Sequence, residues 1–175
     1  IKVIHSSAIR LLNLINQILE FRKTETQNRK LTVSKGDLGS LVTETGLRYK
    51  ELNRNEKITF QISIDARETK LYFDTDIIST ILNNLLSNAI KYTSEGEIRL
   101  IMRSIVEEEN KYTEIVVSDT GYGIDAEALP HIFDRYYQAK GKHQASGTGI
   151  GLALVKSLAD LHELSLIHIS EPTRP

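Results

Sequence analysis

The stretch from Asp74 to Ser118 constrains the fold more than any other part of the chain. Ile77, Ile78, Ile81, Leu82, Leu85, Leu86, Ala89 and Ile90 recur at helical spacing between Asp74 and Tyr92 and form one broad apolar stripe. Two long strands follow directly, Glu97 to Glu107 and Lys111 to Ser118, joined by a turn around Glu109-Asn110. A helix with such a face, next to hairpin-linked strands, buries that face on a sheet. The expected architecture is therefore α+β, a two-layer α/β sandwich with an antiparallel or mixed sheet and helices on one side.

The flanking segments fit this plan. Asp37 is a plausible N-cap for a helix running to about Asn55, with Leu38, Leu41, Val42, Thr45, Tyr49 and Leu52 on one face. Ile58 to Ile64 alternates apolar and polar residues and reads as a strand, and Lys70 to Phe73 and Leu31 to Ser34 read as shorter ones. A last helix is expected from about Gly149 to His162. Residues 1 to about 27 read as a long helix. Ile1, Ile4, Ala8, Leu11, Ile15 and Ile18 alternate three and four apart, the spacing of a coiled-coil seam, which calls for a partner helix. Packing onto its own domain is the alternative. Lys23 to Lys30 is polar and suits a linker.

Composition removes several function classes. A formal net charge of -1 gives no electrostatic case for nucleic acid or anionic lipid. With no cysteine, neither a disulfide framework nor a thiolate metal site can form. No apolar run is long enough to span a bilayer. The chain starts at Ile1, which leads us to expect that it begins inside a longer protein.

Three segments carry candidate chemistry. Asn84 and Asn88 lie four apart and project from one helix face. Their carboxamide oxygens are hard ligands suited to Mg²⁺, and Lys91 is placed to reach phosphates. A solvated polar face would explain the asparagine pair equally well. Asp119 leaves a strand just before Gly121 and Gly123, in the run Ser118-Asp119-Thr120-Gly121-Tyr122-Gly123-Ile124. The glycines let the backbone approach a planar ligand, and a buried carboxylate there would accept a hydrogen bond from an exocyclic amine such as that of adenine. An ordinary turn is the plain alternative. Gly147-Thr148-Gly149-Ile150-Gly151-Leu152 opens the last helix, where exposed N–H groups and the helix dipole favour phosphate. The polar stretch Ala139 to Ser146 before it reads as a lid, or as a flexible linker. Each motif is weak alone, and together they describe a nucleotide site. No Gly-Lys-Ser/Thr is present, and no dinucleotide-binding unit precedes the glycines.

In this order the segments closely resemble the N, G1, F and G2 boxes of sensor histidine kinases: Asn84 to Thr93, Asp119 to Ile124, Ile132-Phe133-Asp134-Arg135-Tyr136-Tyr137, and Gly147 to Leu152. The wording is especially similar to that of hybrid sensors of Bacteroidetes-type bacteria. The resemblance implies a Bergerat-type ATP-binding fold with ATP and Mg²⁺ as ligands. Asn88 then maps to the Mg²⁺ ligand, Asn84, Lys91 and Tyr92 to phosphate and ribose contacts, and Asp119 to the adenine-amine acceptor. Gly121, Gly123, Ile124 and Arg135 join the ATP site, with Gly147, Thr148, Gly149, Gly151 and Leu152 as lid and phosphate loop.

Arg10-Leu11-Leu12 and Ile15 to Lys23 resemble the second dimerisation helix of such kinases. The resemblance thus implies a division into 1–27, part of the dimerisation domain, and 28–163, the catalytic ATP-binding domain. It further implies a homodimer through the N-terminal helix, a response-regulator receiver domain as partner, and no nucleic-acid or direct membrane contact in this segment. The place implied is the cytoplasmic portion of a membrane-anchored bacterial sensor.

Two departures stand out. The family's phosphoacceptor lies in a His-Glu-x-x-Thr/Asn-Pro context, which this chain lacks. His5 is followed by Ser6-Ser7, and His162-Glu163 ends the last helix. The family's closing strands are also replaced by Leu164 to Pro175, a stretch like a translated sequencing adapter and expected to be non-native. Asn84 stands where related water-activating ATPases carry Glu. An amide is no general base at neutral pH, so slow hydrolysis and transfer of the γ-phosphate to a histidine are expected. The alternatives are a nucleotide-binding or dimerisation module without transfer activity, and an anti-sigma-type serine kinase.

Overall fold

The computed structural model describes residues 11–12, 15–19, 21–23, 30–138 and 148–167. They fall into two compact units, one within Thr32–Ile124, the other within Ile1–Leu31 and Asp125–His168.

The first unit contains both sheets. Strand β1 (Ser34–Asp37) pairs antiparallel with β3 (Lys70–Phe73), Ser34 opposite Phe73 and Asp37 opposite Lys70. The second sheet has the order β2-β4-β5. Strands β2 (Ile58–Asp65) and β4 (Gly96–Glu107) run parallel, whereas β4 and β5 (Asn110–Asp119) form an antiparallel hairpin. Parallel neighbours need a long crossover, and here it runs through β3 and helix α2 (Thr75–Tyr92). The mixed sheet agrees with the architecture expected from the sequence.

Alternation along β4 sorts the two faces. Ile98, Leu100 and Met102 are fully buried, while Arg99 and Arg103 point the other way and pair with Glu97 and Glu114. On the apolar face lie α1 (Leu38–Leu52) and α2. Leu38 and Val42 of α1 join Ile78, Leu82, Leu86 and Ala89 of α2 and Ile58 and Phe60 of β2 in one core. Each buried aliphatic side chain of this kind contributes about 1.5–3 kcal/mol of transfer free energy.

Both helices of this unit start at an aspartate. Asp37 accepts the Ser40 N–H at 3.1 Å, and that backbone donor holds its carboxyl below the usual aspartate value. Asp74, almost completely buried, accepts through Oδ1 from the N–H groups of Asp76 and Ile77 and through Oδ2 from that of Thr32, at 2.8 Å.

Some boundaries differ from expectation. The first strand is Ser34–Asp37 and not Leu31 to Ser34, because its register is set by pairing with β3. Helix α1 stops at Leu52, where the Asn53 N–H still bonds the Tyr49 carbonyl in an extended C-cap. Leu52 is 67% exposed and does not share the buried face assigned to it.

The second unit contains a 3-10 turn, Leu129–His131, and α3 (Gly151–Leu161), whose Ala153, Leu154, Val155, Leu158 and Ala159 are buried. His162 closes that helix, its N–H bonding the Leu158 carbonyl at 3.0 Å. The described residues 11–12, 15–19 and 21–23 are helical, and Leu11, Leu12, Ile15, Ile18 and Leu19 are 36–58% exposed. Ile1, Ile4, Ala8, His5 and the proposed lid lie outside the described residues. So does 168–175 of the suspected non-native stretch, while 164–167 are in neither helix nor strand.

Candidate nucleotide site

In the first unit, α2 delivers the asparagine face to the end of β5. Asn84 and Asn88 are both half-buried in the second half of the helix. The Asn84 amide nitrogen donates to the Thr80 carbonyl at 2.8 Å, which turns its NH₂ to the helix backbone and its oxygen to the other side. Lys91 is held by its neighbour: its Nζ donates to the Tyr92 hydroxyl at 2.9 Å and lies 4.6 Å from that ring's centroid.

The glycine turn after β5 rests on the end of this helix. The Tyr122 N–H donates to the Tyr92 carbonyl at 3.2 Å. A Cβ at Gly121 would lie 2.4 Å from that same carbonyl oxygen, so only glycine permits the approach. Asp119 Oδ1 accepts from the Gly121 N–H at 2.9 Å and from the Thr93 hydroxyl at 3.5 Å. Asp119, Gly121, Lys91 and Tyr92 are thus tied into one small network, with Gly123 and Ile124 following. Asp119 is solvent-exposed, which corrects the expectation of a buried carboxylate. It is the last residue of β5, which among the described residues is an outer strand of the sheet.

Thr93 escaped the sequence reading as a site residue. It is 4% exposed and caps α2, joining the asparagine helix to Asp119. A lone threonine after a helix carries no periodic signal. Arg48 and Tyr49 of α1 were likewise not seen in this role. Arg48 donates to the Asn83 side-chain oxygen at 2.8 Å and Tyr49 to the Asn83 carbonyl at 3.1 Å, fixing α2 one residue before Asn84. Burial pushes the Tyr49 hydroxyl pKa up from its ordinary value.

The glycine segment before α3 belongs to the second unit. Gly147 lies outside the described residues. Thr148 is half-buried, and its Oγ1 accepts the Ile150 N–H at 3.3 Å. Gly149 has φ +68, and a Cβ there would lie 2.6 Å from the backbone of Tyr136, whose N–H bonds the Gly149 carbonyl at 2.8 Å. Gly151 and Leu152 form the first turn of α3, which has no side-chain cap hydrogen bond. Its leading N–H groups are of the kind that receive a phosphate oxygen. Arg135 sits in this unit too, its guanidinium 4.6 Å from the centroid of Phe21.

A mixed sheet with helices packed on its apolar face defines a protein of the two-layer α/β class. The family described as histidine kinase-, DNA gyrase B-, and HSP90-like ATPase matches residues 73–174, and the chain belongs to it. That match takes in most of 164–175 as well.

Among curated relatives, histidine kinase P4 of Formosa agariphila is 32% identical over 97% of this chain, and the Bacteroidetes-type resemblance fits it. The aerobic respiration control sensor protein ArcB homolog of Haemophilus influenzae is 33% identical over 92% of this chain. The chain spans 13% and 49% of the lengths of these two proteins. Full-length ShkA, solved in complex with AMPPNP, has the same fold at a TM-score of 0.76 and 22% identity, over 91% of this chain and 33% of that one. The Acinetobacter baumannii histidine kinase AdeS follows at 0.69 and 22%, over 91% and 72%.

Proposed function

We propose that this chain is the catalytic ATP-binding part of a two-component sensor histidine kinase, which binds MgATP and donates its γ-phosphate to a histidine. The observation that carries this reading is the network joining the Asn84–Asn88 helix end to the Asp119-Gly121 turn. The donor set fits the ligand. Carboxamide oxygens on one helix face suit Mg²⁺, Lys91 offers a positive charge for phosphates, and Asp119 offers an acceptor for an exocyclic amine. In this reading Asn88 holds the metal, Asn84, Lys91 and Tyr92 contact phosphate and ribose, and Gly121, Gly123 and Ile124 border the base. Arg135, Thr148, Gly149, Gly151 and Leu152 contribute to the phosphates, with Gly147 assigned by resemblance alone. Bound Mg²⁺ would neutralise phosphate charge. The protein's part is to position the nucleotide, since neither asparagine removes a proton from water.

The proposal extends to organisation. Residues 1–27 are read as the second dimerisation helix, 28–163 as the ATP-binding domain, and 164–175 as a non-native tail. The exposed leucines and isoleucines between residues 11 and 19 support a partner helix, and a homodimer is the form proposed. A response-regulator receiver is the proposed downstream partner. Among the described residues no helix is long and apolar enough to cross a membrane. The proposed setting is the cytoplasmic part of a membrane-anchored sensor.

Calorimetry with MgATP tests the site. Asn88→Ala is expected to lose tenfold or more in Mg²⁺-dependent affinity, and equal affinity would remove Asn88 as metal ligand. Labelled ATP supplied with a separately expressed phosphoacceptor helix tests transfer. Binding without transfer would favour a nucleotide-binding module.

A further inference from the structure

The glycine segment before α3 makes a contact outside the nucleotide machinery. The Thr148 hydroxyl donates to the side-chain oxygen of Gln17 at 3.0 Å, across 131 positions of sequence. Four residues after Gln17, Phe21 lies under the Arg135 guanidinium. In a helix, positions four apart share a face, so one face of the N-terminal segment meets both residues. A cavity of about 250 Å³ lies alongside, lined by Ile18, Phe21, Arg22, Arg135, Tyr136 and Ile150.

A hydroxyl has one proton to donate. While that proton is directed to the Gln17 oxygen, Thr148 cannot donate it to a phosphate oxygen, which only accepts. We propose that Gln17 is a positioning residue for nucleotide binding: its carboxamide oxygen competes with phosphate for the Thr148 proton. The helix therefore holds the loop in the nucleotide-free state, and a bound phosphate releases it. By reciprocity, anything that pulls Gln17 away raises nucleotide affinity. This rests on the reading of 148–152 as a phosphate loop.

The test is calorimetry with MgATP on the whole chain. Gln17→Leu removes the acceptor at similar size and is expected to bind about fivefold more tightly, the effect of one net hydrogen bond. Gln17→Glu keeps an acceptor, adds a charge that repels phosphate, and is expected to bind more weakly than wild type. In a Thr148→Ala background, Gln17→Leu is expected to bring no gain in affinity, and a merely structural role for Gln17 would not give this pattern. Binding that is intact and sensitive to Asn88→Ala, but with additive effects of Gln17→Leu and Thr148→Ala, overturns the competition and leaves the nucleotide reading standing. No MgATP binding by wild type overturns both. Amide hydrogen exchange on the nucleotide-free protein gives a second readout. Exchange at Ile150 and Gly151 is expected to quicken in Gln17→Leu, and an unchanged rate overturns the proposal whatever the affinities.

Discussion

Asp119 shows what a single residue contributes and how much of that a sequence discloses. Its position between a strand and two glycines was legible, because Gly121 and Gly123 mark a turn no other residue makes as easily. One of its partners was not. The Gly121 N–H bonds Oδ1 in the local i to i+2 manner of an aspartate turn, whereas the Thr93 hydroxyl comes from 26 positions away and leaves no mark in the spacing. With Oδ1 so engaged, the carboxylate has acceptor capacity for an adenine amine and no donor. In Asp119→Asn the oxygen keeps the Gly121 N–H and the NH₂ meets the amine, donor against donor. ATP affinity is expected to drop about tenfold, the cost of one unsatisfied polar pairing, with GTP much less affected. Competition binding with both nucleotides checks this, and equal losses would assign Asp119 to folding or to phosphate. The asparagine pair was readable as a face for the same reason that any i, i+4 pair is. Arg48 was opaque as a partner of Asn83, because nothing local distinguishes it from other surface residues of α1, and Tyr49 was readable as part of the apolar face but not as a donor to Asn83.

At the scale of elements, periodicity located α2 and the β4–β5 hairpin closely, since long segments bury whole faces and repeat the pattern many times. Of the two short strands, Lys70 to Phe73 was located at its own bounds and β1 was displaced. Strand β1 contains Gly36 and Asp37, poor strand formers, and exists because β3 offers four residues to pair with. The end of α1 was overestimated because Leu52 continues the apolar spacing into solvent. The same burial argument ranks the caps. Asp37 is exposed, whereas the buried Asp74 satisfies three backbone N–H groups. Asp74→Ala is expected to destabilise the protein by about 2–3 kcal/mol, a lost cap plus a stranded buried donor. Urea unfolding measures it. Asp74→Asn, still a good cap, is expected to lose less. A loss as small as that of Asp37→Ala would mean that water replaces the carboxylate.

For the molecule as a whole, the sequence suggested one ATP-binding domain from residue 28 to residue 163. By its contacts the chain groups into two compact units, with a boundary at Ile124–Asp125 inside that stretch, and the proposed division into 1–27 and 28–163 stands as a proposal beside this grouping. Contacts such as Thr148 to Gln17, 131 positions apart, decide such groupings and leave no trace in local pattern. The proposed non-native tail gives a test at this scale. The Leu164 N–H bonds the Ala159 carbonyl at 2.8 Å and helps finish α3, so a truncation should spare it. Ending the chain after Ser165 is expected to leave the melting temperature within about 1 °C and MgATP affinity unchanged, as for surface changes remote from a core. A clearly lower melting temperature would make those residues part of the fold. One bond described above also bears on how such a protein could be driven. Asp74 joins the backbone of Thr32, just after the linker, to the first turn of the helix that carries the asparagines. A pull on the backbone at Thr32 would therefore be felt at the first turn of that helix through the Asp74 carboxylate as well as through β1, as a load is shared between a rivet and a seam.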